Sequence, residues 1–368
     1  MNLLFVTQMV DAGDPVMGFV LRQVQALADR GASVVVVANE VRQVPAALDA
    51  EVISLGKERG QGRTARGLRL ATLAARLAWP RRPVTLFAHM CPEYLNLAAP
   101  TIKAAGGRAL LWFAHPRDSR TLALAERLAD VVLTTVPGSY PRTTPKLRVI
   151  GQAIDTARFP LAPPAGASSP CRLLALGRIA PVKGYETVLR GVAAARAAGT
   201  DVAVDLMGPC EGATDRAYRD ELLRLRDDLG LAEAEARILG GVPHEEVPAR
   251  LRAATALVNA TVAGSADKVI FEAMASGRPV LASNPALADL LTSTGLDLTY
   301  PPGDHAALAG RIGVLTAATA DARRDASAEL RARIERGHSL DHWADTVMAL
   351  ARPATRQPST ALPADQAR

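Results

Sequence analysis

Cysteine is scarce in this chain: Cys91, Cys171 and Cys210 stand far apart, and none forms a CxxC pair. An odd, scattered set argues against a disulfide framework or a zinc ribbon and fits a reducing cytoplasm. Aromatic residues reach only 4%, while Ala, Arg and Leu abound, which reads as a bias of composition. No stretch approaches the roughly 18 apolar residues of a membrane-spanning helix. The opening "MNLLFVTQMVDAGDP" has no basic residues ahead of its apolar run, so it reads as a buried strand rather than a secretion signal. No two aspartates have DxD spacing, and GxxxxGK[ST], the phosphate loop of many nucleotidases, does not occur.

What is present is length enough for two domains, 368 residues, with 49% hydrophobic and 22% charged side chains. The net charge of +6 suits an anionic partner, whether nucleotide, phospholipid surface or nucleic acid. Runs rich in Val, Leu and Ile alternate with helical stretches. The first half carries "NLLFVTQ", "ASVVVVANE", "PVTLFAHM", "GRALLWFAH", "DVVLTTV" and "LRVIGQAID". The second carries "CRLLALGRI", "DVAVDLMGP", "ARILGGV", "TALVNATV", "RPVLASN" and "LDLTYPP". Such continuous apolar runs fit strands buried on both faces, and the alternation predicts parallel sheets with right-handed crossovers. The expected organisation is an α/β chain of two Rossmann-like doubly wound domains facing a cleft, residues 1–160 and 171–337. A linker spans 161–170, a helix at 338–352 packs back on the first domain, and a disordered tail covers 353–368.

Two motifs carry chemistry. In "ADKVIFEAMASGRPVLASN" a helix is expected between Ser265 as N-cap and Gly277 as the residue after its end. Its apolar face holds Val269, Ile270, Ala273 and Met274. Glu272 is a lone carboxylate in this setting, four residues after Lys268. Either the two form an exposed pair worth a few tenths of a kcal/mol, or the carboxylate holds a ligand. A lysine in the first turn opposes the helix dipole unless an anion is also there. "GRIAPVKG" follows a strand and precedes a helix; glycines, Arg178, Lys183 and a helix N-terminus suit a diphosphate. The alternative is a basic surface loop.

These pieces, with "DLMGPCEG", "ILGGVPHEEVPARLRAATALVNATVAG" and "PPGDHAALAGRI", occur in order at ordinary spacings. Together they resemble the C-terminal domain of the GT-B glycosyltransferases of family 4, the glycosyl transferases group 1. "KLRVIGQAIDTARF" is similar to that family's passage between domains, and the likeness extends to about residue 350. It implies that Arg178 and Lys183 neutralise the diphosphate of a nucleotide-sugar donor and that Glu272 accepts from the donor ribose. It places Gly208 and Pro209 near the donor cleft and the amide of Val242 toward the nucleobase. It implies a retaining transfer that needs no metal ion, with basic residues and helix dipoles in the ion's place, in accord with the missing DxD pair. The acceptor, a lipid, a glycan or a small molecule, is left open.

The chain departs from the family at Gly264, where a second glutamate is common; Asp267 or Lys268 is the candidate to take over part of its role. Ser265 completes the donor-side set. In the first domain Gly18 marks a strand–helix turn in place of a glycine-rich loop, and His115, at a strand end, matches a position where the family often has a histidine touching the donor sugar. His115 is the catalytic candidate. His338 and His342 read as a packing pair, not a metal site. Residues 57–82 carry Lys57, Arg59, Arg63, Arg66, Arg69, Arg76, Arg81 and Arg82 against Glu58. They suit either a peripheral contact with anionic lipid on the inner membrane face or a helix packed on the sheet with its arginines outward. Trp79 is the one aromatic in that basic stretch, which argues against a nucleic-acid partner. Beside the enzyme stand two readings: a non-catalytic GT-B protein binding nucleotide or partner proteins, and a sugar-nucleotide epimerase, which fits the motifs less well.

Overall fold

A computed structural model describes residues 1–14, 17–79, 83–162, 170–261, 266–292 and 295–352. Ser265, the divergent Gly264, Arg81, Arg82, most of the expected linker and the expected tail fall outside these residues.

The first sheet contains β1 (Asn2–Val10), β2 (Ser33–Val41), β3 (Glu51–Ser54), β4 (Val84–His89), β5 (Arg108–Trp112), β6 (Val131–Thr134) and β7 (Leu147–Val149). The second contains β8 (Cys171–Leu176), β9 (Val202–Met207), β10 (Ala236–Leu239), β11 (Ala256–Asn259) and β12 (Val280–Ala282). Their orders are β3-β2-β1-β4-β5-β6-β7 and β10-β9-β8-β11-β12, with every pairing parallel. In each sheet the strand order reverses beside the first strand, between β1 and β4 and between β8 and β11. Ligands of doubly wound sheets gather beyond the carboxyl ends of the strands at such points.

Two strand boundaries differ from the reading of the sequence. Glu51–Ser54, a short half-buried segment at the sheet edge, is a strand that had not been expected. "LDLTYPP" is not a strand: Thr299 makes a single bridge to Ala282, and Leu298 and Tyr300 are buried as core residues.

Alternation along β1 divides the first domain's core. Leu3 and Phe5 face one apolar cluster, Leu4 and Val6 the other. The first cluster is closed by the helix Leu340–Ala351, whose Trp343 meets the rings of Phe87 and Trp112 edge-on at 5.7 and 5.8 Å. To reach that site the chain passes back beside the earlier crossing segment. Ile154 and Ser339 form a single parallel bridge where the two segments meet, with Ile154 N donating to His338 O and Leu340 N to Ile154 O, both at 2.8 Å. Gly151, at φ +82°, lies so close to Gly337 that a Cβ would sit 2.0 Å from its carbonyl oxygen. Only glycine fits there.

His338 packs half-buried against Phe271, ring centroids 4.8 Å apart, and desolvation holds its imidazole down at about 4, with the neighbouring His342 adding to the effect. Among the described residues no three His, Cys, Asp or Glu side chains converge as a metal site, and no helix is long and apolar enough to cross a membrane.

Candidate functional site

A cavity of about 640 Å³ opens between the domains. The first domain contributes Asp14, Gly18, Phe19 and Arg22, and the second His244, Glu245, Lys268 and Glu272, with Arg158 from the crossing segment. The turn after β1 is built for this position. Gly18 N donates to Asp14 O at 3.0 Å, and a Cβ on Gly18 would meet that oxygen at 2.8 Å. Glycine is therefore required by the turn that leads Phe19 into the cleft.

Glu272 lies on the helix Lys268–Ala275, which has Asp267 at its N-cap position and Gly277 at φ +68° after its end. The helix is eight residues long and starts later than an N-cap at Ser265 would require. Glu272 is only 4% exposed, so it is no surface pair. Lys268 Nζ stands 3.3 Å and His244 Nε2 3.1 Å from the same oxygen, Oε1. Arg158 Nη1 reaches His244 Nδ1 at 3.0 Å. A guanidinium only donates, so Nδ1 accepts and the imidazole proton sits on Nε2, directed at Glu272. Burial alone raises the Glu272 carboxyl; Lys268 and His244 outweigh it, and the net effect is a lowered pKa. Oε2 has no partner among the described residues, and Glu272 lines the cavity. This is a fixed carboxylate with one oxygen ready to accept from a hydroxyl. Lys268 also lies 4.4 Å above the Phe19 ring, a cation–π contact between the domains.

Lys183 and Arg178 are set differently. Lys183 Nζ is 2.7 Å from Asp267 Oδ1, while Oδ2 of the same carboxylate accepts from Asn259 Nδ2 and Thr261 Oγ1, each at 2.7 Å. Burial works to raise the Asp267 carboxyl, and Lys183 with the two neutral donors overcomes it, leaving the pKa lowered. Asp267 thus places a negative charge at the start of the Lys268–Ala275 helix, where the dipole favours one. Arg178, about half exposed, faces Glu211 at 3.5 Å and Asp215 at 3.7 Å. At the start of the helix Tyr185–Ala197, Tyr185 N donates to Tyr218 Oη at 2.9 Å. A Cβ on Gly184 would meet Ala260 O at 2.6 Å.

Gly208 packs on the loop after β8, where an added Cβ would stand 1.8 Å from Gly177 O, so its glycine has a packing reason of its own. Val242 is partly buried against the second domain's core, beside Gly241, which touches Pro209. His115 is exposed beyond β5, with Nδ1 accepting from Arg117 N at 3.0 Å, and it is not among the residues lining the interdomain cavity. The buried histidine of this region is His89, stacked at 5.9 Å on Phe5 and 6.2 Å on Trp112 and held at about 4 by burial. No local pattern marks His244 or Arg158. Each is an ordinary loop residue until the fold brings it to Glu272.

Residues 170–317, less than half of the chain, match the family model described as Glycosyl transferases group 1. No curated protein matches the chain. Among solved structures, Anabaena Alr3699/HepE, in complex with UDP, superposes with a TM-score of 0.74 at 17% identity, covering 95% of this chain and 99% of that one. A glycosyltransferase from Rickettsia africae ESF-5 gives 0.73 at 14%, covering 95% and 97%. The sucrose-phosphate synthase of Thermosynechococcus elongatus gives 0.69 at 19%, covering 94% and 98%. This likeness shows the fold: two doubly wound domains across a cleft, the GT-B arrangement.

Proposed function

We propose that this chain is a glycosyltransferase of family 4 type, moving a sugar from a nucleotide-sugar donor to a lipid, glycan or small-molecule acceptor. The observation that carries the reading is Glu272, anchored through Oε1 and open through Oε2 in the interdomain cavity. A donor ribose supplies the hydroxyls such an oxygen accepts. The match of residues 170–317 to the glycosyltransferase model supports it, and the complexes of HepE with UDP and UDP-glucose make a uridine diphosphate sugar the first donor to test. Lys183 and Arg178 are the proposed diphosphate cations. Retention of configuration, with the leaving diphosphate helping to take the acceptor's proton, belongs to the same proposal. So does independence of a divalent ion: turnover is expected to be unchanged by EDTA, and loss restored by Mg²⁺ or Mn²⁺ would contradict it. Titration of nucleotide-sugar donors into the wild type and Glu272→Gln tests the reading: the variant is expected to bind more weakly, and equal affinity would contradict it.

One observation favours a second reading, a GT-B protein that binds without catalysing. Asp267 already supplies Lys183 with an anion, at the start of a helix and with two further donors. A donor diphosphate has to share or displace that carboxylate.

The basic stretch offers a narrower lipid contact than its sequence suggested. Lys57 pairs with Glu40 at 3.0 Å and Arg59 with Glu58 at 3.4 Å. The helix Arg63–Ala78 buries Leu70, Ala74 and Ala78, leaving Leu68 66% and Trp79 78% exposed, with Arg69 and Arg76 exposed beside them. Leu68 and Trp79 are separated by about three helical turns and so lie on one side. We assign this stripe to an anionic membrane surface. Flotation with phosphatidylglycerol vesicles is expected to recover the wild type and to lose Trp79→Ala; equal recovery on phosphatidylcholine would contradict the assignment.

A further inference from the structure

A second cavity, of about 310 Å³, opens on the other face of the first sheet, among Gln8, Asn39, Arg63, Arg66, Glu93 and Tyr94. Its placement follows from strand alternation. Phe5 and Thr7 face the side of His89 and Phe19, which leads to the interdomain cavity. Leu4 and Val6 face the opposite cluster, and Gln8 continues their register. Gln8 and Asn39 lie near the carboxyl ends of β1 and β2, the edge at which sheets of this kind take ligands.

The polar groups here are unevenly matched. Arg63 and Arg66 are three apart on one side of their helix, and neither guanidinium has a carboxylate within 4 Å among the described residues. Arg66 Nε is buried without a hydrogen-bond partner among the described residues. Burying a guanidinium nitrogen without a partner is costly; Arg278 Nε and Arg323 Nε are also without one among the described residues, but neither lines this cavity. The one carboxylate lining the cavity among the described residues, Glu93, accepts from Gln8 Nε2 at 3.0 Å instead. Tyr94 Oη donates to Asn39 Oδ1 at 2.6 Å, which leaves the amide nitrogen of Asn39, itself 7% exposed, without a partner among the described residues. Two forked cations lie beside one carboxylate and one amide donor.

We propose that this cavity binds a small hydroxylated phosphate monoester, a sugar or polyol phosphate. Arg63 and Arg66 grip the phosphoryl oxygens, for which the guanidinium fork is suited. Glu93 accepts from, and the Asn39 amide donates to, the hydroxyls of the carbon skeleton. The volume is at the lower end of small-molecule sites, roughly 300–1,000 Å³. The site does not depend on the donor reading, since among the described residues it shares none with the interdomain cavity.

Calorimetric titration in phosphate-free buffer tests it, using glucose 6-phosphate, glycerol 3-phosphate and inositol 1-phosphate against glucose and inorganic phosphate. At least one ester is expected to bind, with inorganic phosphate about 10-fold weaker or worse and glucose without measurable binding. Arg66→Gln and Arg63→Gln are each expected to weaken the ester about 10-fold or more, the size of one charge-assisted contact. Arg63 is exposed, so its variant tests the site even if Arg66→Gln folds poorly. Lys183→Ala leaves ester binding unchanged. The proposal is overturned if none of the three esters binds, if both arginine variants bind as the wild type does, if inorganic phosphate binds as tightly as the esters, or if Lys183→Ala abolishes binding.

Discussion

Glu272→Ala lowers the free energy of unfolding by about 3 kcal/mol, the lower end of the cost of breaking a buried ion pair. The lower end applies because Lys268 and His244 keep partial access to water, with side chains 27% and 22% exposed. Glu272→Gln loses less: an amide fills the space and retains one oxygen to accept from His244 Nε2. Had Glu272 belonged to an exposed pair, both changes would cost only a few tenths of a kcal/mol. The pH dependence has a definite sign. Because the folded carboxyl lies below its ordinary value of 4.5, its charge stabilises the fold above about that pH. The contribution is lost as the pH falls through the lower folded value. Urea titrations at pH 7 and in acid are therefore expected to show the gap between wild type and Glu272→Gln closing as the pH drops. A gap that widens in acid would contradict the proposed charge pairing.

Asp267→Asn raises the affinity for a nucleoside diphosphate by about 10-fold or more while lowering stability. In the wild type the carboxylate holds Lys183 at 2.7 Å and has two neutral donors besides. Asparagine keeps a single accepting oxygen and removes the charge, so the Lys183 ammonium becomes available to phosphate. A charge-assisted contact is worth roughly 1.5–3 kcal/mol, and 1.4 kcal/mol is tenfold in affinity. Lys183→Ala has a different signature: it leaves the Asp267 carboxylate without its cation, so it loses stability as well as diphosphate affinity. A diphosphate affinity of Asp267→Asn at or below that of the wild type would show that Asp267 does not compete for Lys183.

Parts of this arrangement can be read directly from the chain. β2 contains the unbroken apolar run 34–38, and β9 consists of Val, Ala, Leu and Met around a single acid, Asp205, as strands covered on both faces favour. β3 escaped notice because an edge strand of four half-buried residues carries little periodic signal. Leu298 and Tyr300 misled for the opposite reason: burial of alternate residues imitates a strand even where only one bridge forms. At the site, Glu272 stood out as a carboxylate among apolar neighbours, but its partners did not. His244 is 28 residues away, and Arg158 is 86 residues before His244. Sequence marks Asp267 as a candidate for the role of the family's absent glutamate, but not its partner: the side chain turns to a lysine 84 residues earlier instead of capping its own helix. Local pattern identifies residues of the right chemistry. The register of two separate sheets decides which of them meet.

The most direct measurement is a calorimetric titration of UDP, GDP and ADP and their glucose derivatives into the full chain, repeated with Glu272→Gln, the milder of the two variants. The wild type is expected to bind at least one of these at one site per chain, and Glu272→Gln to bind it roughly 10-fold more weakly or worse, the loss of a charge-assisted acceptor for the ribose. Failure of all six to bind the wild type, or binding to Glu272→Gln with wild-type affinity, would contradict a donor site at Glu272.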